Sequence, residues 1–124
     1  MNIDIYQEKA HSFALHNNPM YPALGLAEEA GEVCGKIAKF IRKHDGHEPL
    51  PCGKFFEDEH PSEWNSDNSD FLRGLQKELG DVMWMVAEIC SVYGFSLEEI
   101  LENNIAKLED RKNRNVIVGE GDNR

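Results

Sequence analysis

The sequence predicts an all-α protein, a four-helix bundle interrupted by one irregular polar insertion. Apolar residues recur every three or four positions in four segments, and no stretch of useful length alternates in the manner of a β-strand. The 124 residues correspond to about one domain, and an apolar content of 40% can fill a core without disulfides. We therefore expect a single domain over residues 1–124.

Two helices are predicted before the insertion. Helix 1 is expected from Asn2 to about Asn17, because Pro19 closes its apolar stripe. Helix 2 is expected from about Pro22 to His44. An apolar stripe runs along this segment, basic residues crowd its last turns, and Gly46 follows as a stop.

The insertion covers residues 45–69 and separates helix 2 from helix 3. Glycine and proline punctuate this strongly polar stretch, which has neither helical nor strand periodicity. The apolar period returns at Phe71, so helix 3 is expected over Phe71–Tyr93, with Gly94 in the position that follows a helix C-terminus.

A capping box opens the fourth helix. Ser96 stands at the N-cap and Glu99 three residues later, a pair that can satisfy free backbone N–H groups of the first turn. The helix is expected to fray near Lys112. Residues 113–124 then form a polar C-terminal tail.

The charge balance excludes one class of partner. Lys and Arg number 13 and Asp and Glu 23, which gives a net charge of −10, whereas surfaces that attract a nucleic-acid backbone are basic. Three cysteines, an odd number, favour a reducing compartment. Met1–Gln7 contains no basic region followed by an apolar run, so no signal peptide is expected, and no stretch approaches the roughly 18 apolar residues of a membrane span. We predict a cytoplasmic protein without a membrane or nucleic-acid partner.

Helices 2 and 3 carry acidic pairs in matching positions. Helix 2 contains Glu28-Glu29-x-x-Glu32 and helix 3 contains Glu78-x-x-Asp81. At about 100° per residue, Glu29 and Glu78 each lie roughly 80° from the centre of their apolar stripe. Glu32 and Asp81 each lie roughly 140° from it, in the same direction. Antiparallel packing of the two helices would therefore bring both pairs to one side.

Converging carboxylates would repel one another unless a cation neutralised them. Hard oxygen ligands without His or Cys suit Mg²⁺, Mn²⁺ or Ca²⁺ better than zinc. The alternative is that both pairs lie on ordinary solvated helix faces. The spacing by itself names no reaction.

The acidic segments resemble those of a known family. Leu24–Val33 reads LGLAEEAGEV and Lys77–Trp84 reads KELGDVMW. Together they closely resemble the E-E-x-x-E and E-x-x-D motifs of MazG-like nucleoside triphosphate pyrophosphohydrolases. The 45 residues between Glu32 and Glu78 exceed the usual spacing of that family. The excess is the polar insertion, and a loop between two intact helices need not move the carboxylates.

The resemblance implies a MazG-type fold and hydrolysis of a (d)NTP between its α and β phosphates. The products would be the monophosphate and pyrophosphate, with Mg²⁺ as cofactor and Mn²⁺ as a possible substitute. The implied metal ligands are Glu29, Glu32, Glu78 and Asp81. Glu28 would orient a water molecule or act as base, or else would be simply exposed.

Substrate-binding residues are also implied by the resemblance. Asn104-x-x-Lys107-x-x-x-Arg111 is similar to the phosphate-contacting segment of the family, and the tail is similar to the ending of its short members. The implied substrate-binding residues are Asn104, Lys107, Arg111, Asp122, Asn123 and Arg124. The alternative for the two basic residues of helix 4 is that they only complement the helix dipole.

The family also implies a homo-oligomer, either a dimer or a tetramer. Met83, Trp84 and Met85 suit this expectation, because they add apolar surface that one small bundle does not readily hide. Trp84 alternatively stacks on a nucleobase.

Two alternative interpretations of the sequence are a zinc site and a non-catalytic function. A zinc site near the insertion is disfavoured because the order of its candidate ligands matches no diagnostic spacing. Those candidates are His44, His47, Cys52 and His60. The chief rival to an enzyme is a non-catalytic acidic helical module that binds a basic protein partner.

Overall fold

The computed structural model describes residues 1–45 and 66–123 of the chain. These residues form four helices and no strand, which confirms the all-α class. They are α1 (Ile3–Ser12), α2 (Tyr21–Lys43), α3 (Ser66–Tyr93) and α4 (Leu97–Asn113). Within the described ranges, no helix combines the length and the apolar character that a membrane crossing requires.

Side-chain caps begin α1 and α4. The Oδ1 atom of Asn2 accepts a hydrogen bond of 2.9 Å from the backbone N–H of Ile5. At α4, Ser96 Oγ accepts a bond of 3.2 Å from the N–H of Glu99, so the predicted N-cap is confirmed. Each cap satisfies one of the N–H groups that a first turn leaves without a helical partner.

A glycine in a left-handed conformation ends α3. Gly94 has φ +70°, which costs a residue without Cβ little. Its N–H donates to the carbonyl of Ser91, and the N–H of Phe95 donates to Cys90 O at 2.8 Å. This pair of bonds is a Schellman motif, and it confirms the predicted place of Gly94.

Two predicted helix ends are wrong. α1 ends at Ser12 instead of near Asn17, because the N–H groups of Phe13 and Ala14 bond to carbonyls only three residues back. Phe13 is 69% exposed, so it does not belong to a buried apolar face although it fits the apolar spacing. α3 begins at Ser66 instead of Phe71. Its first turn is entirely polar, and apolar periodicity cannot detect such a turn.

The structure divides into two compact units, Asn17–Val86 and Met1–His16 with Ala87–Arg124. In the unit Asn17–Val86, α2 and α3 run antiparallel, because the start of α2 contacts the later part of α3 and the end of α2 contacts its earlier part. The Phe40 and Phe71 rings have centroids 4.5 Å apart, and at the other end Met85 lies against Gly25. A Cβ atom at position 25 would come within 2.5 Å of the Met85 sulfur, so glycine permits this close approach.

The burial of Met85 corrects one expectation. The sequence predicts that this side chain adds exposed apolar surface for subunit contact, but it is only 5% exposed and packs within its own chain. Met83, in contrast, is exposed, as are Leu24 on α2 and Leu79 on α3.

In the second unit, α1 packs against α4 and Gln7 ties α1 to the α3–α4 turn. The amide of Gln7 donates to Phe95 O at 2.9 Å, and its Oε1 accepts from the N–H of Leu97 at 2.8 Å. Leu97 is 1% exposed. One side chain thus bonds to two backbone groups of the α3–α4 turn, and it pairs the N–H of the buried Leu97, which would be costly to leave unpaired.

We expect Phe40→Ala to destabilise the protein strongly. Phe40 is 6% exposed and packs on Phe71, so its truncation should leave a cavity and lower the free energy of unfolding by about 3–5 kcal/mol. Ile41→Ala, at an exposed neighbouring position, should cost less than about 1 kcal/mol. Urea denaturation measures both. Equal losses would contradict the packing described for Phe40.

Candidate active site

The candidate active site lies where α2 faces α3 in the unit Asn17–Val86. Carboxylate oxygens of Glu29, Glu78 and Asp81 all lie within 4.8 Å of one another. The spacing of three residues places Glu78 and Asp81 on one face of α3. The antiparallel packing brings Glu29 on α2 to the same place.

Two other predicted acidic residues lie beside this group. Glu28 and Glu32 are both exposed, and neither belongs to the close group of three. Both still act on it electrostatically, because each of their charges raises the pKa of Glu29. The matching helical offsets predict that four carboxylates converge. The structure brings Glu29, Glu78 and Asp81 together, and Glu32 lies outside this group.

Glu29 carries the clearest electrostatic signature of the site. Its pKa is raised above the ordinary value of 4.5, first by burial and then by the neighbouring charges of Asp81, Glu28, Glu78 and Glu32. Ionised carboxylates held this close repel one another, so the charged form of Glu29 is disfavoured without a counter-charge.

The group fits a divalent cation. Three carboxylates supply hard oxygen donors of the kind that Mg²⁺, Mn²⁺ and Ca²⁺ prefer, and no His or Cys belongs to the group. Oxygens within 4.8 Å of one another on two packed helices are also placed to share one ion.

A lysine that the motifs did not single out touches this site. Lys36 Nζ lies 3.3 Å from Glu78 Oε1. Lys36 follows Glu29 by seven residues on α2, which is about two helical turns, so both residues share a face. That spacing is a signal in the sequence that could have identified the lysine.

The predicted phosphate-binding residues of α4 belong to the other unit. Asn104 and Lys107 are exposed, whereas Arg111 is only 5% exposed. Arg111 Nη2 donates to the backbone carbonyl of Asp122 at 3.0 Å and lies 3.8 Å from Asp122 Oδ1. Within the part of the chain that the structure describes, Arg111 Nε has no hydrogen-bond partner.

Turn geometry explains how the tail returns to Arg111. Asn115 has φ +56°, and the N–H of Val116 donates to Arg111 O at 2.8 Å, which reverses the chain after α4. The structure therefore brings Arg111 and Asp122 together. Asn123 is exposed, and Arg124 lies outside the described residues.

A buried glutamate outside the acidic motifs was missed by sequence reasoning. Glu88 is fully buried, and its Oε2 lies 3.2 Å from His11 Nδ1 and 3.0 Å from His16 Nε2. The sequence signal that could have identified Glu88 is a single carboxylate among the apolar residues of the last turns of α3. Of the zinc candidates, His44 packs its ring 4.4 Å from that of Phe40. The other three candidates lie outside the described residues.

We expect Glu29 to make the metal-free protein less stable as pH rises. Because its pKa is higher in the folded protein than the ordinary 4.5, the folded state binds the proton more tightly. The resulting stabilisation is present below pH 4.5 and is lost as pH rises through the folded pKa. Urea denaturation across this range, with a chelator present, should show a smaller fall in Glu29→Gln than in the wild type. Glu102→Gln, an exposed carboxylate on α4, should keep the wild-type fall; identical slopes in all three proteins would contradict the assignment.

We expect Arg111→Ala to release the tail. Loss of a buried guanidinium bonded to the Asp122 carbonyl should lower the free energy of unfolding by about 1–3 kcal/mol. Limited proteolysis should then cut after Val116 faster than in the wild type. Lys112→Ala, at the exposed neighbouring position, is the control. Unchanged cleavage in Arg111→Ala would show that the contact does not hold the tail.

Comparison with known proteins identifies the family of this chain. A model of the MazG nucleotide pyrophosphohydrolase domain matches residues 20–116. The chain is 35% identical to Gene 37 protein of Mycobacterium phage L5 over 133 aligned residues, which cover all of both chains. It is 30% identical to Uncharacterized protein YvdC of Bacillus subtilis (strain 168), over 69% of this chain and 68% of that protein. No solved structure gives a significant match. The chain belongs to the MazG nucleotide pyrophosphohydrolase domain family.

Proposed function

We propose that this protein is a Mg²⁺-dependent pyrophosphohydrolase that cleaves a nucleoside or deoxynucleoside triphosphate between the α and β phosphates. The observation that carries the proposal is the close group formed by Glu29, Glu78 and Asp81 in a chain of this family. The products are the nucleoside monophosphate and pyrophosphate.

The acidic residues would hold the cation. Glu29, Glu78 and Asp81 supply the oxygens that already lie together, and Glu32 is the fourth ligand implied by the motif. When bound, Mg²⁺ or Mn²⁺ offsets the negative charge of the phosphates and lowers the pKa of an attacking water. Without a cation, the carboxylates would repel a polyanionic substrate.

Other residues of the chain would serve the substrate. Glu28 is exposed beside Glu29 and is free to accept a proton from water. Lys107 and Asn104, exposed one turn apart on α4, supply a charge and an amide for phosphate oxygens. Arg111 contributes by holding the tail at Asp122. The proposal includes Asn123 and Arg124 as substrate contacts.

We further propose that the protein acts in the cytoplasm as a homo-oligomer. Exposed apolar side chains on α2 and α3 support association with a second copy, because burying such surface is favourable in water. These side chains are Leu24, Leu79 and Met83.

We expect Glu78→Gln and Asp81→Asn each to lower pyrophosphate release at least about a hundredfold, which corresponds to about 2.7 kcal/mol of activation free energy. Both changes keep the side-chain size and remove a charged ligand. Incubation with mixed NTPs and dNTPs plus Mg²⁺, followed by a pyrophosphate assay, measures the effect, and circular dichroism checks the fold. Glu102→Gln should retain full turnover.

Two results would count against the proposal. Near-wild-type turnover in both variants at saturating Mg²⁺ would remove the metal assignment. A wild-type protein that releases no pyrophosphate from any substrate in the mixture would favour the non-catalytic acidic module that binds a basic partner.

A further inference from the structure

We propose that Lys36 is a positioning residue of the acidic site. Its ammonium group holds the Glu78 carboxylate in place in the metal-free protein and limits the repulsion within the cluster. The proposal rests on the proposed function in one respect, namely that the cluster of Glu29, Glu78 and Asp81 binds a divalent cation.

The contact is a partly buried ion pair between two helices. Lys36 Nζ on α2 lies 3.3 Å from Glu78 Oε1 on α3, and the side chains are 37% and 18% exposed. An ion pair with this degree of burial is screened less by water and salt than an exposed pair. It therefore restrains the Glu78 carboxylate more than a surface lysine would.

The path of the lysine side chain is also defined. A Cβ atom at position 74 would lie 3.6 Å from Cδ, Cε and Nζ of Lys36, an ordinary van der Waals distance. The end of the lysine therefore crosses α3 at Gly74, one turn before Glu78. A Cβ atom at this position would only touch the lysine side chain, so the ammonium reaches Glu78 along the surface of α3 beside Gly74.

The position of this charge reduces the repulsion within the cluster. Glu78 faces the like charges of Glu29 and Asp81 within 4.8 Å, and Lys36 supplies a positive charge on the same carboxylate. Removing that charge should destabilise the metal-free protein, because the repulsion is then less compensated. It should also tighten divalent-cation binding, because the site becomes more negative and loses a competing cation.

These two effects have opposite signs, and this separates positioning from a merely structural role. A lysine that only supported the packing of α2 on α3 would lower stability on removal, and it would weaken cation binding or leave it unchanged. A lysine that neutralises Glu78 lowers the stability of the metal-free protein while it raises the affinity for the cation.

The test compares Lys36→Met with Lys39→Met in the full chain. Both changes remove one positive charge from α2 and keep an unbranched side chain, but Lys39 is an exposed residue outside the pair with Glu78. Melting temperature in the presence of a chelator measures the metal-free stability. Titration calorimetry with Mn²⁺ alone measures the affinity of the site.

We expect Lys36→Met to lower the metal-free melting temperature and to tighten Mn²⁺ binding about three- to tenfold, which corresponds to about 0.7–1.4 kcal/mol. Lys39→Met should change neither quantity beyond the general effect of one charge. Lys36→Arg keeps the charge. It should restore the melting temperature to near that of the wild type and the Mn²⁺ affinity to within about twofold of it.

The inference is overturned if Lys36→Met binds Mn²⁺ no more tightly than Lys39→Met, or if the wild type does not bind Mn²⁺ at all. Failure of the proposed function is a separate result. A wild type that binds Mn²⁺ and shows the Lys36 effect, but releases no pyrophosphate, retains the positioning role and loses the reaction.

Discussion

The antiparallel packing of α2 on α3 is the constraint on which the candidate site depends. Each helix by itself carries a polar face with acidic residues, which is an ordinary feature of an acidic protein. Packing at Phe40–Phe71 and at Gly25–Met85 fixes the register at both ends of the contact. Only that register places Glu29 with Glu78 and Asp81, so apolar burial outweighs a local repulsion between carboxylates.

The electrostatics of the site follow from this balance between apolar burial and carboxylate repulsion. The raised pKa of Glu29 reflects first its partial burial and then the like charges held close to it. A positive charge lies beside the same carboxylates, because Lys36 Nζ is 3.3 Å from Glu78 Oε1. Such a group suits a divalent cation, because the carboxylate oxygens already lie close together and a cation would remove an unfavourable interaction.

The second unit uses polar side chains in its interior in a different way. Gln7 satisfies backbone groups at the α3–α4 turn, and Arg111 reaches the carbonyl of Asp122 in the returning tail. Glu88 is fully buried against two histidine rings. Buried polar groups are costly unless they are paired, so these contacts restrict which arrangements of the unit are allowed. The tail is thereby tied to α4, although its composition gives no sign of order.

The sequence by itself determined the helical class, the N-cap at Ser96, the turn at Gly94 and the spacing of the acidic pairs. Each of these depends on residues a few positions apart, where backbone geometry sets the interactions. The polar first turn of α3 escaped detection because no apolar stripe marks it. Only the tertiary structure decided that Met85 is buried, that Lys36 pairs with Glu78 and that Arg111 faces the tail. Their partners are separated along the chain, and packing between elements selects such contacts.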